Sequence, residues 1–193
     1  MRGATPFAGL ARFIAGCAVA ALILVAWVPA GAQQTRASEA ELKAAFVFNF
    51  AKFVDWPGGA LSEAQNLVIC IAGDELVAST VTQVIEGRRL NGHQLVIRRR
   101  APDSSDFNGC HIVFLGDRQQ WRRSLAVLRS SPVLTIADGE EFARKGGMIA
   151  FVLENDRVRF VMNPAAGDRA GLKISSRLLA LARIVQEEKE KGF

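Results

Sequence analysis

The chain has 193 residues and a formal charge of +5 at pH 7, from 24 lysines and arginines against 19 aspartates and glutamates. This mild excess differs from the strongly basic footprint of nucleic-acid-binding proteins, so nucleic acid is not an expected partner. The length fits one domain with a sizeable hydrophobic core.

The first 32 residues have the pattern of a cleaved secretory signal peptide. Arg2 and Arg12 flank the start, an apolar run covers Phe13 to Val28, and residues 30–32 (Ala-Gly-Ala) supply a cleavage site. The run is shorter than the ~20 residues that comfortably span a bilayer, so a retained anchor is the less favoured alternative. We therefore expect residues 33–193 to form a single domain in the periplasm.

An aromatic-rich helix is predicted next. Ser38 and Glu41 have the spacing of a capping box, which starts the helix at Glu39, and Trp56-Pro57 ends it. Aromatic residues surround the helix axis, and such a helix is either fully buried or partly covered by a partner. Burial within the domain is the plainer interpretation. Because aromatic residues dominate interface energetics, four of them are candidate partner-binding residues: Phe46, Phe50, Phe53 and Trp56.

Three later segments repeat a strand, a tight turn and a helix. The strands are predicted at 67–72, 111–115 and 133–137, and the helices at 75–86, 118–129 and 140–144. The turns contain Asp74, Asp117 and Asp138, each placed to cap the helix that follows. This alternation is typical of an α/β sheet.

The rest of the chain completes the predicted fold. A strand at 94–99 lies between the first two repeats, and strands at 148–153 and 157–162 form an antiparallel hairpin. A last amphipathic helix would place Leu178, Leu181, Ala182 and Val185 on one face. We expect an α/β fold in a single compact domain, with a mixed, mostly parallel sheet, helices on both faces and a C-terminal antiparallel hairpin.

Two Gly-Asp turns form a candidate ligand crevice. Gly73-Asp74 and Gly116-Asp117 should meet where the carboxyl ends of parallel strands open, which is the usual ligand position in such sheets. Helix capping alone would also explain both aspartates. A small ligand bound there is therefore the alternative interpretation.

The sequence contains no recognisable catalytic or metal-binding motif. The two histidines, His93 and His111, have no second histidine at helical spacing, so both are interpreted as structural and no metal or cofactor is expected. The run 98–100 is a triple arginine. Its plainer interpretation is a solvated strand end, but Arg98 and Arg100 are also candidates for contact with an acidic partner or anionic lipid headgroups.

The pair Cys70 and Cys110 suggests a disulfide in an oxidising compartment. If the two Gly-Asp strands are neighbours aligned at their glycines, the cysteines are offset by three residues. That offset is ~10 Å along a strand, beyond the ~7 Å between Cα atoms that a bridge allows. A stagger between the strands, or a position of Cys110 in the preceding loop, would permit the bond, and the spacing leaves this open.

Several segments together resemble the YfiR family of periplasmic proteins. They are AAFVFNFAKFVDWP (44–57), LVICIAGD, CHIVFLGD, LTIADGEEFARKGGMIAFV and GLKISSRLLALARIV (171–185). The resemblance implies a compact α/β domain that forms a homodimer. It also implies a repressor that binds the periplasmic sensory part of an inner-membrane diguanylate cyclase, so that its release raises cyclic di-GMP and favours biofilm formation.

The resemblance has limits. Cys70 and Cys110 coincide with one cysteine pair of the best-studied member, but its second pair, near 146–153, is missing here. Control through that second bridge is therefore not expected. Other members lie beside histidine kinases or outer-membrane receptors, so the sensor could be a cyclase or a kinase.

Three functional hypotheses follow. The leading one is a non-enzymatic regulator of an inner-membrane sensor. The second is a periplasmic small-ligand-binding module that acts with a histidine kinase or a transport system. A thiol oxidoreductase ranks third, because the two cysteines are 40 positions apart and not in a C-x-x-C motif.

Overall fold

A computed structural model describes residues 30–62 and 66–188. Contacts divide the chain into a compact unit of residues 37–193 and a separate unit of residues 1–36. The helices are α1 (Ala30–Lys52), α2 (Glu75–Ile85), α3 (Trp121–Leu128), α4 (Glu140–Arg144), α5 (Pro164–Arg169) and α6 (Ser176–Leu179). The strands are β1 (Val54–Asp55), β2 (Leu67–Ala72), β3 (Arg89–Leu90), β4 (His93–Arg100), β5 (Ile112–Leu115), β6 (Leu134–Asp138), β7 (Ile149–Glu154), β8 (Arg157–Met162), β9 (Lys173–Ile174) and β10 (Arg183–Ile184). Nearly all of the predicted signal peptide lies outside the described residues.

Eight strands form one sheet in the order β10-β8-β7-β6-β5-β2-β4-β3. Strands β4, β2, β5, β6 and β7 are mutually parallel, and β8 returns antiparallel to β7. Numbered along the chain, the parallel strands have the 2-1-3-4-5 order of flavodoxin-like sheets. The predicted mixed, mostly parallel sheet with a C-terminal antiparallel hairpin is confirmed.

Strand β2 lies inside the sheet, and all six of its residues are buried. Because side chains alternate along a strand, they enter two separate hydrophobic clusters. Ile69 and Ile71 join the cluster that α1 and α2 cover, whereas Cys70 and Ala72 join the cluster with residues of α3 and α4. Helices therefore lie on both faces of the sheet, as predicted.

The predicted bounds of the first helix are wrong at both ends. Helix α1 begins at Ala30, so Ser38 lies inside it and does not start it. It ends at Lys52, before Trp56-Pro57, because Val54 and Asp55 form a short antiparallel ladder with strand β9. Tertiary strand pairing overrides the helical pattern over these residues.

The predicted last amphipathic helix is also wrong. Only the four residues of α6 are helical, and β10 then pairs in parallel with β8, with Arg183 opposite Val161. The Val185 amide continues this pairing by donating to the Met162 carbonyl at 2.8 Å. Leu181 is 72% exposed and is not part of a buried helical face. Backbone pairing with the sheet edge decides the conformation here.

Candidate functional site

The aromatic residues of α1 divide between the core and the surface. Phe50 is 1% exposed and packs against Phe151 and Phe160, with ring centroids 5.9 and 5.0 Å away. The prediction that Phe50 contacts a partner is therefore wrong, because its side chain fills the space between helix and sheet. Phe46 is only partly buried and lies 5.5 Å from the Phe160 ring. It remains a candidate contact residue.

Phe53 and Trp56 follow the helix and are half-buried against the same core. The Trp56 indole donates from Nε1 to the His111 carbonyl at 3.2 Å, and its ring meets the imidazole edge-on. The Phe53 carbonyl accepts from the Ser175 amide at 2.9 Å. Both residues hold the segment after α1 in place, and a role in partner binding stays a prediction for each of them.

An apolar groove of about 470 Å³ lies beside Phe46, in the C-terminal half of α1. The apolar residues that line it are Phe46, Val158, Phe160, Leu181 and Ala182. Leu153 stands opposite Val158 in the hairpin and is 66% exposed, close to the 72% of Leu181. Exposed apolar side chains grouped around a groove are typical of an interaction site. We call this set, with Leu153, the apolar groove.

The rim of the apolar groove is a charged network. Arg183 donates to Glu140 at 2.6 Å and to Glu154 at 3.1 Å, and Arg144 forms a second ion pair with Glu140. The hydrogen bond from Arg183, with a smaller contribution from Arg144, lowers the pKa of Glu140 to about 2 despite partial desolvation. The pKa of Arg183 is raised by the same contacts. The network attaches β10 to the hairpin and to α4.

Lys43 fixes α1 over the carboxyl end of β6. Its side chain is buried, and its ammonium lies 2.8 Å from both Glu39 and Asp138. Burial lowers the pKa of Lys43, but the hydrogen bonds to Asp138 and Glu39 outweigh that effect and the net pKa is raised. Asp138 was predicted to cap a helix, and this is wrong: Gly139 precedes α4 and the Asp138 carboxylate binds Lys43 instead.

The two Gly-Asp turns do meet at the carboxyl ends of β2 and β5, but they touch each other. A Cβ on Gly116 would lie 2.4 Å from the Asp74 Cβ, and one on Gly73 would lie 3.1 Å from the Asp117 Cβ. Asp74 caps α2 by accepting from the Val77 amide at 2.9 Å. Asp117 accepts from the Gln119 amide at 2.7 Å, in a turn that precedes α3. Gly116 and Asp74 therefore form a packing contact and not the wall of an open crevice.

Cys70 and Cys110 form a disulfide, with their Cα atoms 5.8 Å apart. The strands are aligned as assumed, with Cys70 opposite Val113. Cys110 lies in a turn before β5, and its backbone amide donates to the Phe107 carbonyl at 3.0 Å. This turn removes the offset expected for an extended chain, so the loop alternative left open by the spacing is the one found. The bond ties the 101–110 loop to the central strand.

His111 connects three segments next to this disulfide. Its Nδ1 accepts from the Val68 amide at 3.0 Å, and its Nε2 lies 3.0 Å from the Ala60 carbonyl. These contacts assign the proton to Nε2, since an acceptor is needed at Nδ1. Burial lowers the pKa of His111, and the charges of His93 and Arg98 lower it further. The arrangement supports a structural role for this histidine.

The triple arginine forms the last three residues of β4. Arg98 and Arg99 are exposed, and Arg100 is partly buried. Arg99 pairs with Glu75 at 2.9 Å, and the Arg98 guanidinium lies beside Gly109 in the loop that the disulfide holds. The Nε of Arg100 is buried with no hydrogen-bond partner among the described residues. This cationic strip remains a candidate contact surface.

Comparison with models of protein families finds a match that covers these features. The model of the YfiR/HmsC-like family matches residues 40–183, which extend from α1 to the first residue of β10. This chain belongs to the YfiR/HmsC-like family. The matched range contains the disulfide, the triple arginine and the whole apolar groove. No curated protein matches the chain at a significant level.

In the described ranges, no group of three histidine, cysteine, aspartate or glutamate side chains could hold a metal ion. Among the helices of those same ranges, none is long and apolar enough to cross a membrane.

Sequence reasoning missed most of the apolar groove. Leu181 was assigned to a buried helical face, and Leu153 was treated as an ordinary strand residue. One signal was present: Leu153 lies one residue before the two-residue turn of Asn155 and Asp156, which both have positive φ. An apolar side chain at the tip of a hairpin has little chain left to cover it.

Proposed function

We propose that this chain is a non-enzymatic periplasmic regulator that binds the periplasmic part of an inner-membrane signalling protein. Family membership supports this role, and the observation that carries it is the apolar groove beside α1. The most specific version is repression of a diguanylate cyclase, which lowers cyclic di-GMP and biofilm formation. A homodimer and a histidine-kinase partner belong to the same proposal.

The proposal requires export. Cleavage after Ala32 would leave a chain that starts at Gln33 and would remove only the first three residues of α1. A protein outside the cytoplasm can change an intracellular signal only through a partner that spans the membrane. It does so by binding one conformation of that partner more tightly than the other. N-terminal sequencing of the protein from the periplasmic fraction should read from Gln33.

Deletion of the gene tests the cyclase version directly. We expect cyclic di-GMP and surface attachment to rise, and the wild-type gene to reverse both. Complementation with Leu181→Lys should fail, because a charge would enter the apolar groove. Val127→Lys is the matched control, since Val127 is 53% exposed on α3, which packs on the other face of the sheet. Unchanged cyclic di-GMP after deletion would exclude the cyclase version.

A pull-down of the tagged protein from solubilised membranes would then identify the sensor. Recovery of a histidine kinase in place of a cyclase would keep the regulatory role and change the signal that it controls. Equal recovery of the sensor by the wild type and by Leu181→Lys would remove the apolar groove from the proposal.

A further inference from the structure

Strand β4 is only partly covered on its outer side. Its neighbour β3 pairs with just two of its residues, Gln94 opposite Arg89 and His93 opposite Leu90. One more bond, from the Leu95 amide to the Arg88 carbonyl at 3.4 Å, ends this pairing. Residues 96–100 therefore form an open sheet edge, which we call the basic edge.

The backbone of the basic edge is ready to pair with another strand. Along a strand, every second residue directs its backbone amide to the same edge. Since the Leu95 amide points outward to Arg88, the amides of Ile97 and Arg99 point outward as well. Within the described residues, no strand ladder or other backbone hydrogen bond uses their outward amides and carbonyls. The opposite edge strand, β10, has only two residues. The basic edge is thus the longer of the two open edges.

The side chains of the basic edge select for negative charge. Arg98 and Arg100 project on one face of the sheet and Arg99 on the other, as alternation requires. Arg99 alone among the three has a carboxylate within ion-pair distance in the described chain, and both partners of that pair are exposed. Arg100 has a buried Nε without an acceptor. An incoming strand with acidic residues at alternate positions would supply the missing acceptors.

We propose that the basic edge binds an extended acidic segment of a partner protein as an added strand. Backbone bonds to Ile97 and Arg99 would hold the segment, and carboxylates opposite Arg98 and Arg100 would select it. The same charges repel a second copy of this edge, which is how proteins protect open strands from self-association. This inference deepens the proposed function, since the segment would belong to the regulated partner.

A model peptide tests the proposal without any knowledge of the partner. The probe is a blocked peptide of about seven alternating valine and glutamate residues, a usual strand length. Amide hydrogen exchange measured by NMR on the purified protein should slow at Ile97 and Arg99 by about tenfold or more. The Arg98 amide faces β2 and is the internal control. The same peptide with lysine in place of glutamate should not bind.

Two further probes separate strand addition from simple charge attraction. Glutamate peptide that is N-methylated on alternate residues keeps its charge but loses one hydrogen-bonding edge, so it should bind more weakly by about tenfold or more. Vesicles with anionic phospholipid should not protect the two amides. Equal binding of the methylated peptide, binding without protection at Ile97 and Arg99, or no binding of the peptide would each overturn the proposal.

Variants locate the interaction on the protein. Arg98→Gln with Arg100→Gln should weaken binding of the glutamate peptide by about tenfold or more. Arg157→Gln with Arg159→Gln, on the hairpin, is the matched control and should change it by less than about twofold. Arg99→Pro removes one outward amide and should bind more weakly than Arg99→Ala, which keeps it. If the Arg99→Pro and Arg99→Ala variants bind the glutamate peptide with equal affinity, the proposed strand addition is wrong.

This outcome is independent of the genetic test of repression. If the peptide fails while deletion still raises cyclic di-GMP, the regulator stands and the basic edge is not its contact surface. If the peptide binds as expected while deletion has no effect, the edge recognises acidic strands and the cyclase is the wrong partner.

Discussion

The two opposite edges of the sheet, at β10 and at β4, offer a partner different kinds of contact. Beside β10, Leu153 and Leu181 expose apolar surface, while the nearby Arg183 is already paired with two carboxylates. Along β4, the surface is cationic, and Arg98 has no carboxylate within ion-pair distance among the described residues. Apolar burial depends little on salt, whereas attraction between exposed charges is screened within about 10 Å at 0.1 M.

The comparison indicates how each side could contribute to regulation. Contact through the apolar groove would supply affinity, because it removes apolar surface from water. Contact through the basic edge would supply selectivity for acidic strands and faster association at low salt. The support beneath each side also differs, since the groove rests on the aromatic core and the basic edge adjoins the loop held by the disulfide.

The largest loss of stability should come from Phe50→Ala, which leaves a cavity in the core beneath the apolar groove. Phe50 is 1% exposed, so we expect the free energy of unfolding to fall by about 3–5 kcal/mol. Urea unfolding followed by circular dichroism would measure it. Phe46→Ala, at a half-buried position of the same helix, should cost no more than about 2 kcal/mol. Equal losses for the two variants would contradict the assigned burial.

The disulfide should give the next largest effect, on the side of the basic edge. Replacing both Cys70 and Cys110 with alanine frees a loop whose ends are 40 positions apart, and stability should fall by about 2–4 kcal/mol. Urea unfolding with and without reductant would show it. Reductant should destabilise the wild type and leave the double variant unchanged. Indifference of the wild type to reductant would mean that the bond does not form or does not stabilise.

The sequence predicted the interior well because burial imposes regular patterns. The continuous apolar run of β2 and the turns with Asp74 and Asp117 fix a parallel sheet with little ambiguity, and the structure has both. The disulfide was only a possibility, because its geometry depends on the turn at Cys110. Local patterns do not specify such a turn.

The surface was predicted less well, and for one physical reason. Residues 178–185 have a helical apolar pattern, yet pairing of β10 with β8 turns Leu181 to solvent. Asp138 has the position of a helix cap, yet the buried ammonium of Lys43 takes its carboxylate. In both cases a contact distant in sequence overrides a local preference. The grouping of residues in the apolar groove depends on such contacts, so the sequence indicates separate members such as Phe46 and Leu153 but not the groove that they form.

Protonation of His111 should give a moderate, pH-dependent loss of stability on the disulfide side. Because the pKa of His111 in the folded protein lies below its ordinary value of 6.5, the unfolded chain binds the proton more readily. Its contribution is therefore complete above pH 6.5 and is lost as the pH falls through the lower folded value.

His111→Gln should flatten this loss between pH 7 and the lower pKa, because the titrating ring is gone. Urea unfolding at a series of pH values would measure the slope. His93→Gln retains His111 and should keep the loss of stability, but over a narrower pH window, because the charge of His93 also lowers the pKa of His111. Burial is the main reason why the charged form is disfavoured, and proton binding would also place a donor at Nδ1 opposite the Val68 amide donor. The same slope in wild type and His111→Gln would assign the acid sensitivity to other groups.

The smallest effect should come from Arg183→Gln at the rim of the apolar groove. Exposed ion pairs contribute less than about 1 kcal/mol, so the loss of stability should be small and should shrink in high salt. The variant should nevertheless raise the pKa of Glu140 from about 2 toward its ordinary 4.5, measurable by NMR titration. The stabilisation from Glu140 is present above pH 4.5 and is lost as the pH falls through about 2, so the variant should lose less stability across that window. An unchanged pKa would mean that Arg144 alone holds the carboxylate ionised and that the ion pair of Arg183 with Glu140 does not attach β10 to α4.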